Sequence, residues 1–331
     1  MRALVLSGGG ALGAFEAGVI RGLWDAGERF DLICGTSIGA INASFVAQGK
    51  VDELSTLWHG ISNRQPSVID YIDQVQRALV FVTDLEAVGR GSVLRLPSLA
   101  LRWMQLGSKK ALLQLRGLVK PDAVTQILQA ELNFNSLQSS LIVTASNLTF
   151  GSSDAFYVFI GPEAANAEKA FLSSREGFVN HALTYENFAT AVRASAAIPL
   201  AFEPVPMNLG TQGNKDYVDG GVANNVPASL AADAGATDIL AVLLQPAQTT
   251  QPTYPTASIL EIGVASLTLM QQRLLEQDMN SANRRAGVNV RYVRPPSALP
   301  MSVLDFGNQA AINAAFDSGQ QAAQQVKTLE N

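Results

Sequence analysis

Residues 30–40 read FDLICGTSIGA. A short apolar run ends at Gly35, a serine stands between Gly35 and Gly39, and a helical pattern follows from Ile38 to Gln48. A Gly-x-Ser-x-Gly stretch on a strand-to-helix turn is a nucleophile elbow: glycines tolerate the tight backbone, and the hydroxyl stands near a helix N-terminus. This makes Ser37 a candidate nucleophile. The competing reading is a glycine turn that contains a hydroxyl by chance.

Toward the N-terminus, ALVL (3–6) is a continuous apolar run that suits a buried parallel strand, and SGGGALG (7–13) follows as a loop. From Ala14 to Asp25, Phe15, Val19, Leu23 and Trp24 recur near one face of a helix. A strand-helix-strand-helix opening crosses over right-handed and leaves its strands parallel, so both loops open on the same sheet edge. Gly8 to Gly10 are therefore expected within about one or two strand spacings of Ser37. Toward the C-terminus, LIVTASNLTFG (141–151) and AFYVFI (155–160) read as a strand pair and TDILAVLL (237–244) as a buried strand. Pro227 and Gly235 bracket a short helix, and 258–285 is helical again.

Of the 331 residues 47% are hydrophobic, enough for a sizeable core, and no linker or repeat divides the chain. One compact domain with insertions is the expectation. The net charge of -5 argues against nucleic-acid binding, which needs a surplus of Lys and Arg. Cys34, the only cysteine, excludes an internal disulfide and a cysteine-built metal site, and its apolar neighbours mark a buried thiol. The apolar start is too short for a signal-peptide core, and no run approaches the roughly 20 residues of a membrane span. A cytoplasmic location is expected.

A serine hydroxyl needs a base. His59, beside Trp58, reads as an ordinary partly buried histidine, and His181 lies in a polar stretch that looks like surface. A histidine triad stays open. One carboxylate stands in a distinctive place: KDYVDGGVANNVP (215–227) holds the only Asp-Gly pair, Asp219 before Gly220 and Gly221. A carboxylate held close to a hydroxyl acts as base directly, so a Ser-Asp dyad needs no histidine. Gly8, Gly9 and Gly10, opening a helix, supply N–H groups for a tetrahedral oxyanion. Gly8, Gly10 and Gly13 also match a dinucleotide fingerprint with Asp31 behind them, but that acid precedes its strand where a ribose ligand should follow it.

Three pieces, GGGALGAFEAG (8–18), GTSIGA (35–40) and DGG (219–221), in this order and spacing resemble the patatin-like phospholipases. VRASAAIPLAFEPV (192–205) resembles the stretch before that family's dyad aspartate, and LIVTASNLTFG, LDF (304–306) and FDSG (316–319) are weaker echoes. The resemblance implies a three-layer α/β/α fold with a central, mostly parallel sheet and a helical cap insertion at about 60–130. It further implies lipid ester hydrolysis of the phospholipase A or lysophospholipase type through an acyl-enzyme, without metal or cofactor. By position the nucleophile is Ser37, the base Asp219 and the oxyanion loop Gly8, Gly9, Gly10 and Ala11. Gly13, Gly35, Gly39, Gly220 and Gly221 are the motif glycines. Leu12 departs from the pattern, since many members carry Arg or Lys there, which puts preference for a phosphate headgroup in doubt. A short-chain esterase or triacylglycerol lipase, and a nucleotide- or lipid-binding module without turnover, are the alternatives.

From Val88 to Pro121 there are seven basic residues and no acid, interleaved with leucines, Trp103 and Met104. That pattern fits amphipathic helices lying on an anionic membrane, and equally a cap with a solvated basic face.

Overall fold

A computed structural model describes residues 1–64, 122–175, 179–199, 201–209, 213–246, 259–303 and 305–329. The chain opens with β1 (Arg2–Leu6), α1 (Gly13–Asp25), β2 (Leu32–Thr36), α2 (Ile38–Ala47) and α3 (Val51–Arg64). After α4 (Asp122–Glu131) come β3 (Ser140–Asn147), β4 (Ser152–Val158), α5 (Ala164–Ser174), β5 (Asn180–Ala182), α6 (Phe188–Ser195), β6 (Val205–Asn208) and β7 (Asn214–Asp219). The described chain closes with α7 (Ala228–Asp233), β8 (Asp238–Val242), α8 (Ile259–Asn283), β9 (Asn289–Val293), α9 (Gln309–Ala322) and β10 (Lys327–Thr328).

The strands form one sheet in the order β10-β9-β8-β1-β2-β3-β4-β5, with β7 on β3 and β6 on β7. Its centre, β9 to β3, is parallel, and antiparallel pairing enters at β4, β7, β6 and β10. Alternation along the strands builds the layers. Leu4 and Leu6 of β1 face a core with Phe15 and Ile20 of α1, Phe45 of α2 and Phe316 of α9. Ala3 and Val5 face the opposite core, with Leu230 of α7 and Leu275 and Met279 of α8. Burial on both faces explains why β1 and β8 read as unbroken apolar runs.

One register decides where the site forms. β2 pairs with β3 as far as Thr36 opposite Thr144, and the next residue of β3, Ala145, pairs with Asp219 at the end of β7. β2 and β7 thus meet end to end along one edge of β3. Whatever follows β2 is brought against whatever ends β7.

The expected helices and strands lie close to their read positions, and Gly235 has φ 88° just past α7. The sequence predicts no element at α3, α5, α6, α9, β5, β6, β9 or β10. NVRYV is short and half polar, and QAAINAAF is rich in alanine, so both carry weak periodicity; packing against β8 and α1 makes them elements. Of the segment expected as a cap at about 60–130, only residues 60–64 in α3 and 122–130 in α4 are described; residues 65–121, the basic stretch 88–121 included, lie outside the described residues. Among the described residues no helix is long and apolar enough to cross a membrane.

Candidate active site

Ser37 occupies the one residue between β2 and α2, at φ 57° and ψ −127°. Among the described residues it alone has a positive φ without being glycine, a conformation that costs about 1–3 kcal/mol. The flanking glycines make it feasible. A methyl group at Gly35 would collide with the Gly39 carbonyl and stand 2.8 Å from Ala40 Cα, and one at Gly39 would stand 2.7 Å from the Ser7 carbonyl oxygen. α2 therefore starts directly over the ends of β1 and β2, the positive end of its dipole lies at the serine, and the Ser37 carbonyl accepts the Ala40 N–H at 2.9 Å.

Asp219 ends β7 and opens the turn through Gly220 and Gly221. The Ser37 hydroxyl donates to its Oδ2, and the Gly221 N–H donates to its Oδ1 at 2.8 Å. The carboxyl is 3% exposed. Burial pushes its pKa up to about 7, only partly opposed by these two hydrogen bonds. Near neutral pH such a carboxylate accepts a proton readily and returns it readily. Thr36 and Thr144 tie the seam below, their hydroxyls 2.6 Å apart, with Thr36 also donating to the Asn224 carbonyl at 3.1 Å.

The glycine loop touches Ser37: a methyl group on Gly8 would reach 3.0 Å from its Cβ. Its four expected donors are not equivalent. The Gly8 N–H donates to the Asn225 carbonyl at 3.2 Å and the Ala11 N–H to the Val303 carbonyl at 2.8 Å. The Gly9 and Gly10 N–H groups have no partner among the described residues, and Gly10 holds the left-handed conformation at φ 56°. Gly13 opens α1, where a side chain would run into Ile38, and Gly220 lies against the Thr144 carbonyl. The Asn225 side-chain oxygen is buried without a hydrogen bond among the described residues, wedged between Gly8 and Gly221.

Neither histidine hydrogen-bonds to Ser37 or Asp219. His59, expected to be partly buried, is exposed: Trp58 takes the inward face of α3 and turns its neighbour outward, where His59 Nδ1 meets the Ser55 carbonyl at 2.8 Å. His181, expected at the surface, is half-buried because its stretch forms β5 and adds to the sheet beside β4. Its Nε2 lies 3.3 Å from Asp154 Oδ2. Asp154 also accepts from Tyr217 at 2.7 Å, Asn147 at 2.9 Å and Ser152 at 2.7 Å. Burial alone would raise this carboxyl, but the four hydrogen bonds outweigh it and hold its pKa down to about 2.

Asp31 accepts the Arg2 N–H at 2.8 Å, at the far end of β2 from the glycine loop, so it does not face a ligand bound there. Cys34 is buried, and burial pushes its thiol up, as befits a structural cysteine. Leu12 is buried in the core beside α1 and presents no charge to the site.

Two features escaped the sequence reading. Glu16 of α1 is fully buried, accepts from Asn42 Nδ2 at 2.7 Å and is pushed well above the usual carboxylate range by burial. Asn42 also donates to the Gly13 carbonyl at 3.1 Å and accepts from Trp58 Nε1 at 3.0 Å, bracing the glycine loop against α2 and α3. A lone Glu in an apolar face was the available signal. The second is Ser195, whose hydroxyl oxygen accepts the Ser37 N–H at 2.8 Å.

The chain is 28% identical over 257 residues to the uncharacterized protein YqhO of Bacillus subtilis (strain 168), covering 75% of this chain and 72% of that one. It is 53% identical over 45 residues to lysophospholipase nte1 of Aspergillus terreus (strain NIH 2624 / FGSC A1156), a match of 14% of this chain and 3% of that protein. Among solved structures, VipD from Legionella pneumophila aligns with a TM-score of 0.43 and 16% identity over 100% of this chain and 68% of its own. The family model described as patatin-like phospholipase matches residues 4–232, the span from β1 through both candidate site residues to α7. The chain belongs to the patatin-like phospholipase family.

Proposed function

We propose that this protein hydrolyses carboxylic esters of lipids through a Ser37–Asp219 dyad and an acyl-enzyme. The observation that carries the reading is the Ser37 hydroxyl donating to a buried carboxylate held near neutral pKa. Ser37 Oγ attacks the ester carbonyl as Asp219 Oδ2 takes its proton. The oxyanion is stabilised by the free Gly9 and Gly10 N–H groups and the positive end of α2. Asp219 returns the proton to the leaving alcohol, the acyl group stays on Ser37, and a water deprotonated by Asp219 releases the acid. No metal or histidine is needed for any of these steps.

Buried Leu12 favours a second reading of the substrate. The glycine motif carries no cation at that position to hold a phosphate, so an ester without an anionic headgroup competes with a phospholipid. Turnover of micellar phospholipid against a neutral acylglycerol separates the two.

The dyad is tested on a p-nitrophenyl acyl ester with Ser37→Ala, Asp219→Asn and a His59→Ala/His181→Ala double variant. The first two are expected to lose activity and the third to keep it, with a fluorophosphonate labelling Ser37 in wild type. A folded but inactive histidine variant would sink the dyad in favour of a triad.

A further inference from the structure

One short stretch of chain holds the main chains of both dyad residues. α6 ends at Ser195, whose hydroxyl oxygen accepts the Ser37 N–H at 2.8 Å. Two residues on, the Ala197 carbonyl accepts the Asp219 N–H at 2.8 Å. Ser195 is 0% and Ala197 3% exposed, so both bonds are made away from water. The stretch is held as a helix end: Ala196 N–H donates to the Val192 carbonyl at 3.2 Å and Ala197 N–H to the Ala194 carbonyl at 3.2 Å. α6 itself packs on α2, β3 and β7, across the seam where β2 and β7 meet.

Ser37 follows the last residue of β2 and precedes the first of α2, so its N–H falls outside both the strand ladder and the helix. A buried N–H in that position needs an acceptor from elsewhere, and Ser195 supplies it. We propose that Ser195 is a positioning residue of the dyad. Acting through the Ser37 main chain, it keeps the nucleophile in its strained conformation, while Ala197 fixes Asp219 at the matching distance. The inference rests on Ser37 and Asp219 being nucleophile and base. It also removes the Ser37 N–H from the oxyanion donors.

Without the acceptor, the Ser37 peptide turns to find another partner and swings Oγ away from Asp219. Displacements of about 1 Å cost on the order of 10²-fold in rate. The loss falls on the chemical step, because Ser195 is buried beneath the nucleophile and does not reach substrate.

The test compares Ser195→Thr with Ser195→Val. The two side chains share a shape, so the added methyl cancels and only the oxygen differs. On a p-nitrophenyl acyl ester, kcat per fluorophosphonate-titrated site is expected about 10- to 100-fold higher for the Thr variant, with KM within about 2-fold. A serine that merely supports folding would lower Tm and the titratable fraction together and leave kcat per site unchanged. Equal kcat in the two variants, or a difference carried by KM alone, overturns the proposal and leaves the dyad standing. Activity or labelling that survives Ser37→Ala instead overturns the dyad reading beneath it. If the branched pair does not fold, Ser195→Ala against wild type is read by the same quantities.

Discussion

Ala145 of β3 has a buried aspartate on each side, Asp154 across on β4 and Asp219 across on β7. They are 0% and 3% exposed, sit in neighbouring positions of one sheet and lie on opposite sides of the same residue, yet one carboxyl is held near 2 and the other near 7. The difference is in the donors and in depth, Asp219 lying the farther from solvent. Asp154 gathers Tyr217, Asn147, Ser152 and His181, which together overcome burial. Asp219 receives one serine hydroxyl and one main-chain N–H, and burial wins. Depth alone sets neither value. A carboxylate saturated with donors serves as a clamp, and one left short of them is available to move a proton.

The comparison breaks most sharply on activity. Asp219→Asn is expected to lower ester turnover by about 10⁴-fold, whereas Asp154→Asn changes turnover per folded molecule by less than about 3-fold. Steady-state kinetics on both variants, with folding checked by circular dichroism, decides it. Comparable losses would place Asp154 in the machinery.

The pH profile sharpens the same contrast. With the base at about 7, kcat/KM is expected to rise about tenfold per pH unit below 7 and to level off above it. An acid limb near 4 would mean that burial does not hold Asp219 up.

Stability moves in opposite directions at the two sites. The folded pKa of Asp219 lies above its ordinary value of 3.8, so the folded state holds a proton that the unfolded state releases as pH rises from about 4 to 7. Stability is lost across that window, and Asp219→Asn is expected to raise Tm by at least about 2 °C at pH 8 and to do nothing at pH 4. The folded pKa of Asp154 lies below 3.8, so its contribution is complete above about 4 and lost as pH falls toward 2. Asp154→Asn is expected to cost about 1–3 kcal/mol at pH 7. Melting curves across pH 3–8 on both variants test the signs. The smallest effect belongs to exposed His59, whose ring meets Phe316 edge-to-face at 4.5 Å; replacement by Ala should cost about 0.5–1.5 kcal/mol.

Much of this site was legible in the residues. Gly35 and Gly39 around Ser37, the triple glycine and Asp219 before two glycines each mark a backbone that must turn sharply or approach another chain closely, and such demands leave local signatures. The main-chain partners left none. Whether the Gly8 or the Gly9 N–H is free depends on where the Asn225 carbonyl lands, and Asn225 is far along the chain. Ser195 was invisible as a partner for the same reason, as one serine in an alanine-rich stretch.

By itself, then, the sequence determined the alternation of strand and helix at the N-terminus, the two residues that meet and the turns that present them. These follow from side-chain periodicity and glycine's freedom, properties of a few neighbouring residues. Only the tertiary structure decided that β2 and β7 abut along β3, that Asp154 and Asp219 part so widely in acidity, and that one helix end fastens the main chains of Ser37 and Asp219. Register, burial and hydrogen-bond partnership arise between segments far apart in the chain, and no local pattern encodes them.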